Sequence, residues 1–283
     1  MVLTKEYRIC MPLSVEEYKI GQLYMIARHS LEQTESGQGV EIVANSECED
    51  PKYGKGQYTE KRIHLSGRLP YWLQAILPRV FYITEKAWNY YPYTVTGISC
   101  SFMPKFSITI QTAFENNNGT TENCLNLSEE VLKERIVDCI DIVYDEISPK
   151  HYKEEEDLKY FKSKKTGRGP LTEEWRNTTT PIMCSYKVVQ ASFEVWGLQS
   201  KAEELIHNTI REILTLGHRQ AVAWVDEWYD MSLDEVRQYE MKIHAETNTK
   251  LGPSEEFTSS PPKSPTLSLS SNSQTSKSWF DWG

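Results

Sequence analysis

No run of eighteen apolar residues occurs anywhere in the chain, so no membrane-spanning helix is expected. Nor is there an excess of positive charge. The 31 Lys and Arg stand against 40 Asp and Glu, for a formal net charge of −9, which excludes a general nucleic-acid binder held through phosphate contacts. The six cysteines, at 10, 48, 100, 124, 139 and 184, form no CxxC pair and no metal-ligand spacing. They are expected as reduced thiols of a cytoplasmic protein, with no metal centre. The opening MVLTKEYRICMPL carries charges and no apolar core, so no signal peptide is expected, and Val2 excludes N-myristoylation. There is no G-x-S-x-G elbow, and KTGRGP lacks the G-x-x-x-x-G-K-[ST] order of a phosphate loop. Hydrolase and nucleotide chemistry therefore have no motif to rest on, and no catalytic residue is assigned.

What remains is a globular composition, 39% hydrophobic and 25% charged over 283 residues, long enough for one large core. Residues 1–250 read as one domain. In 251–283 ten residues are serine and four are proline and periodicity is lost, so this part reads as a disordered tail. Ser260-Pro261 and Ser264-Pro265 there suit proline-directed phosphorylation, and the closing SWFDWG suits a short docking peptide.

The most informative stretch is Thr94 to Thr112, TVTGISCSFMPKFSITIQT, two alternating runs that read as a hairpin folding about Pro104. Thr94, Thr96, Ile98 and Cys100 share one face, as do Phe106, Ile108, Ile110 and Thr112. A turn centred on Pro104 sets Thr96 opposite Thr112. Two distant strands repeat the design, polar at one end and apolar beyond: Thr59, Lys61, Ile63, Leu65 in QYTEKRIHL, and Lys187, Val189, Ala191, Phe193 in SYKVVQASFEVW. An unpaired lysine inside a closed core is costly. The gradient therefore points either to lysines snorkelling to water at strand ends or to a wall shaped for an amphiphile with a polar head and an apolar tail.

Ser14 with Glu17 forms a capping box that starts a helix to about His29, with Val15, Tyr18, Gln22 and Ile26 on its buried face. EIVANS reads as a short strand. LPYWLQAILP, residues 69–78, is apolar enough to touch a membrane. In EKAWNYYPY, Asn89 is expected in a connector, where asparagine forms turns. From Ser128, Val131, Ile136, Val137, Ile140, Val143 and Ile147 predict a helix ending near Pro149. Residues 150–175 predict a long mobile connection. Leu198 to about His218 is helical, and Ser232 with Glu235 caps a last helix that turns Val236, Glu240 and Ile243 inward.

GQYTEK, EKAWNYYPY, KTGRGPL, MCSYK, VWGLQ and HRQAVAWVDEW, in that order, resemble the phosphatidylinositol transfer proteins over residues 2–250, and within them the soluble cytoplasmic branch of the retinal-degeneration-B class. The resemblance implies an α+β, START-like fold: a concave, mostly antiparallel sheet with long helices enclosing a cavity for a single phospholipid. It implies a carrier, not an enzyme, that exchanges phosphatidylinositol and also phosphatidic acid between membranes, with no cofactor beyond that cargo. By matching motif, the inositol ring falls to Thr59, Lys61, Asn89 and Glu240, and the phosphate to Gln22, Thr96, Thr112 and Lys187. Val195-Trp196 stands where other members carry a paired tryptophan for membrane docking, and Thr94 stands where they carry a reactive cysteine. Ser163, Ser260 and Ser264 become regulatory positions, and the phosphorylated tail becomes a dock for 14-3-3 proteins. The alternative is a phospho-regulated, lipid-sensing adaptor that acts through its tail.

Overall fold

The computed structural model describes residues 3–65, 81–193, 197 and 199–252. The apolar segment 69–78, Val195-Trp196, Ser260 and Ser264 lie outside the described residues. Within the described part, eight strands make one sheet: β1 (Leu3–Met11), β2 (Gly39–Asp50), β3 (Gly54–His64), β4 (Tyr82–Tyr90), β5 (Tyr93–Ser99), β6 (Phe106–Glu115), β7 (Ile136–Ile140) and β8 (Met183–Phe193). Their order is β2-β3-β4-β5-β6-β8-β1-β7. Neighbours are antiparallel except β1 and β7, so the class is the α+β, mostly antiparallel architecture expected.

Three long helices cover one face: α1 (Val15–Glu32), α2 (Gln199–Ala223) and α3 (Leu233–Leu251). α1 and α3 each begin with the capping box that the sequence announces. Ser14 Oγ accepts from Glu17 N at 3.2 Å and Ser14 N donates to Glu17 Oε2 at 2.8 Å; Ser232 and Glu235 make the same pair at 3.2 and 2.7 Å. The C-terminal end of α3 is fixed to the sheet edge by one side chain. Asn248 Oδ1 accepts from Ile42 N at 2.8 Å and its Nδ2 donates to Ile42 O at 3.0 Å, at the bulge between Ile42 and Ala44 in β2. The amide satisfies both ladder groups of an edge residue.

The solid core lies where β1 and β8 meet. Tyr7, Ile9, Met11, Met183 and Tyr186 are fully buried there with Ile140, Ile142 and Trp175, and the Tyr7 hydroxyl lies 3.1 Å from both His207 Nδ1 and His207 O. Buried charge in this region is compensated. Glu6 accepts from Arg8 Nε at 2.7 Å and forms an ion pair with Arg135, whose Nε lies 2.6 Å away.

Four expectations change. The hairpin register pairs Thr94, not Thr96, with Thr112, and Thr96 with Ile110. Two successive turns, Met103 N to Cys100 O and Phe106 N to Met103 O, centre the connection on Met103 rather than Pro104. Since the slip is two residues, every side chain keeps its face. Asn89 is not in a connector; it pairs with Gln57 and Thr94 inside β4. The predicted helix from Ser128 stops at Glu134, and Ile136–Ile140 becomes β7, parallel to β1. Its β-branched run gains a ladder by pairing with Lys5–Ile9, and this tertiary contact outweighs the helical spacing. Finally, 150–175 is anchored rather than loose. Leu158 and Leu171 are buried, Arg168 grips Glu17 through both terminal nitrogens at 2.9 and 2.7 Å, and buried Glu156 accepts from Lys153, Gln220 and Trp224.

Candidate functional site

Between the sheet and the three helices lies a cavity of about 580 Å³, lined by β3, β4, β5, β6 and β8 on one side and by α1, α2 and α3 on the other. A void of roughly 150 Å³ already admits benzene, so this space is far larger than a packing defect.

The register turns the expected polarity gradient into a set of rungs that cross five strands. The first rung is polar from end to end: Gln57, Asn89, Thr94, Thr112, Lys187. The second, Thr59, Ala87, Thr96, Ile110, Val189, is polar only on β3 and β5. The third starts with Lys61 and Glu85 and continues with Ile98, Ile108 and Ala191; the fourth holds Ile63 and Ile83 at one end and Phe106 with Phe193 at the other. Opposite the apolar rungs, α2 contributes Ala202, Leu205, Ile206, Ile210, Ile213 and Leu214. A head end and a tail end follow directly.

All eight residues expected to hold a head group line this one cavity: Gln22, Thr59, Lys61, Asn89, Thr96, Thr112, Lys187 and Glu240. They form two polar groups. In one, Lys61 Nζ lies 3.5 Å from Glu85, and Glu240 accepts from Arg237 at 2.6 Å with His244 Nε2 4.0 Å away. Each cation here has a carboxylate. In the other, Lys187 Nζ donates to Thr112 Oγ1 at 3.3 Å and lies 5.5 Å from the centre of the Phe114 ring. The surface Lys187 retains faces the cavity, and the protein around it removes bulk water, which pushes its pKa down to about 8. Next to it His218 donates from Nδ1 to Leu214 O at 2.7 Å. Burial, and then the Lys187 charge, hold His218 down to about 3, so its ring is neutral.

Sequence reasoning missed Gln57, Thr94, Glu85, Arg237 and His218 as lining residues. Gln57 and Thr94 share faces with Thr59 and Thr96, and Arg237 precedes Glu240 by one helical turn, so three of the five carried a readable signal. Glu85 and His218 needed the register and the packing. Ser163 is 2% exposed; its hydroxyl donates to Asp226 and accepts from Thr166 N at 2.9 Å, which closes it to modification unless the segment opens. All six cysteines are free thiols. Among the described residues no helix is long and apolar enough to cross a membrane, and no group of three or more candidate ligands could hold a metal ion.

The family model for phosphatidylinositol transfer protein matches residues 2–245. The chain is 69% identical over 251 residues to a cytoplasmic phosphatidylinositol transfer protein 1 from Drosophila melanogaster, covering 89% of this chain and 92% of that one. It is 58% identical over 252 residues to the human protein of the same name, covering 89% and 75%. It is also 43% identical over 272 residues to the protein retinal degeneration B of Drosophila melanogaster, covering 90% of this chain and 22% of that much longer one.

Proposed function

The chain belongs to the phosphatidylinositol transfer protein family, whose members are lipid carriers rather than enzymes, and on that premise we propose that it takes one phospholipid into its cavity, phosphatidylinositol or phosphatidic acid, and exchanges it between membranes. The observation that carries this is the graded set of rungs: polar at one end, apolar at the other, around a space that no described side chain fills. Two acyl chains hold about thirty methylenes, and at roughly 0.8 kcal/mol each their exposure to water costs on the order of 24 kcal/mol. A cavity as apolar as the bilayer removes most of that barrier. Thr59, Lys61, Asn89 and Glu240 then meet the inositol ring, while Gln22, Thr96, Thr112 and Lys187 meet the phosphate. Exchange takes place at a membrane surface, where Val195-Trp196 docks, since indole favours that interface. The phosphorylated tail, through Ser260 and Ser264, recruits 14-3-3 proteins by adding charge for basic clusters to grip.

A vesicle-to-vesicle transfer assay tests the reading. Thr59→Ala and Glu240→Ala lose phosphatidylinositol transfer about tenfold or more while keeping phosphatidic acid, which has no ring to contact. Trp196→Ala slows both lipids alike. Equal loss of both lipids in the first two variants refutes the ring assignment. An unchanged rate for Trp196→Ala refutes the docking role, and deletion of 251–283 abolishing transfer favours the adaptor alternative.

A further inference from the structure

The ten residues 159–168, KYFKSKKTGR, hold five of the chain's 31 basic residues and none of its 40 acidic ones. On a chain of net charge −9 this is a local reversal of sign. The fold ties the stretch down as a loop. Leu158 and Leu171 are buried at its two feet, where Leu171 N donates to Leu158 O at 3.0 Å. Across the loop Ser163 N donates to Arg168 O at 2.9 Å, and Phe161 packs against the core. The Asp226 carboxylate accepts from Lys164 N at 2.8 Å and from Lys165 N at 3.1 Å. The backbone is anchored in this way while Lys159, Lys162, Lys164 and Lys165 all remain exposed.

Some of these charges are committed. Arg168 grips Glu17, Lys165 Nζ lies 2.7 Å from Asp230, and Lys159 Nζ lies 5.3 Å from the centre of the Tyr144 ring. Lys162 and Lys164 pair with no carboxylate among the described residues. Between Lys159 and Lys162 stands Tyr160, 72% exposed, more than any other large hydrophobic side chain described. The exposed acids that flank the stretch, Glu154, Glu155, Glu173 and Glu174, fall outside its two feet. A nucleic-acid backbone asks for a broader basic face than two uncommitted lysines. An anionic leaflet asks for less: lysines near its surface are attracted by the lipid charge, and a tyrosine ring is favoured at the headgroup level.

We propose that the loop 159–168 is a docking surface for an anionic membrane, with Lys162 and Lys164 facing the lipid phosphates and Tyr160 seated among the headgroups. The inference takes its purpose from the carrier reading above. It adds the charge class of the membrane that the carrier approaches, through residues separate from Val195-Trp196.

The test is co-sedimentation of the full chain with vesicles of phosphatidylcholine alone and with vesicles holding about a third phosphatidylserine. Wild type binds the second kind better, and the preference shrinks as salt rises. The double variant Lys162→Gln with Lys164→Gln binds the anionic vesicles about thirtyfold more weakly, roughly fivefold for each lysine, and the neutral ones as before. Tyr160→Ser weakens binding to both kinds. An unchanged anionic affinity in the lysine variant, or an equal loss on both kinds of vesicle, overturns the proposal. Wild-type binding that ignores salt overturns it as well, without any substitution. Binding of a polyglutamate peptide through these lysines, with no binding to vesicles, overturns it in favour of an acidic protein partner. Because the readout is vesicle binding and not loading, the two readings fail separately: a chain that binds anionic vesicles through these lysines yet takes up no phosphatidylinositol overturns the carrier reading alone.

Discussion

Two buried charge clusters lie on different parts of the same sheet, and they are built in opposite ways. Beside the solid core, Glu6 is 3% exposed and sits between Arg8 and Arg135 at 2.7 and 2.6 Å. In the cavity wall, Lys187 has Thr112 and the Phe114 ring, and His218 Nε2 has no partner. The first cluster is closed, with each charge answered by protein. The second holds a cation that meets a hydroxyl and a ring face, with no carboxylate paired to it among the described residues. Desolvation acts on both, so the contrast isolates what the protein leaves to a ligand.

The largest effect is expected where compensation is complete. Glu6→Gln leaves two largely buried guanidiniums with the exposed Glu122 as their remaining shared carboxylate and lowers stability by about 2–3 kcal/mol in denaturant titration, while the protein that remains folded loads lipid as before. Lys187→Met gives the opposite sign. Removing an uncompensated cation stabilises the lipid-free fold by about 1–3 kcal/mol and abolishes loading of anionic phospholipid. A destabilised Lys187→Met protein would show that Lys187 is compensated after all.

The same lysine sets a pH signature. Its folded pKa is down to about 8 against an ordinary value of 10.5, so between those values the unfolded chain binds more protons than the empty folded one. Stability of the lipid-free protein therefore rises with pH across this window, and the penalty of charging Lys187 is fully present below it. A bound phosphate raises that pKa, so lipid affinity falls as pH climbs above about 8. Both slopes vanish in Lys187→Met. The smallest effect belongs to a position inside the polar rung: Thr94→Val removes the 3.2 Å bond to Asn89 Oδ1 at about 0.5–1.5 kcal/mol, measured as a modest fall in phosphatidylinositol retention.

Much of the site was legible because side-chain parity survives errors of register. Thr96, Thr112, Thr59 and Lys187 were placed on their faces by alternation alone, and a turn misplaced by one residue shifted the pairing by two without moving any of them off the cavity. Capping boxes at Ser14 and Ser232 fixed two helix starts, since their hydrogen bonds are local. What failed depended on distant contacts. Ile136–Ile140 has helical spacing, and only the neighbouring β1 makes it a strand. The 150–175 segment looks unconstrained until Glu17, Gln220 and Trp224 are brought against it. His218 has no signature along the chain, because its burial and the nearby Lys187 charge are set by packing.

Native mass spectrometry of the full chain after incubation with phosphatidylinositol vesicles shows whether the space under α1, α2 and α3 holds a whole phospholipid. A mass increase equal to one phospholipid per chain is expected, lost in Lys187→Met. A chain that stays at its bare mass under conditions that load a related carrier would contradict it.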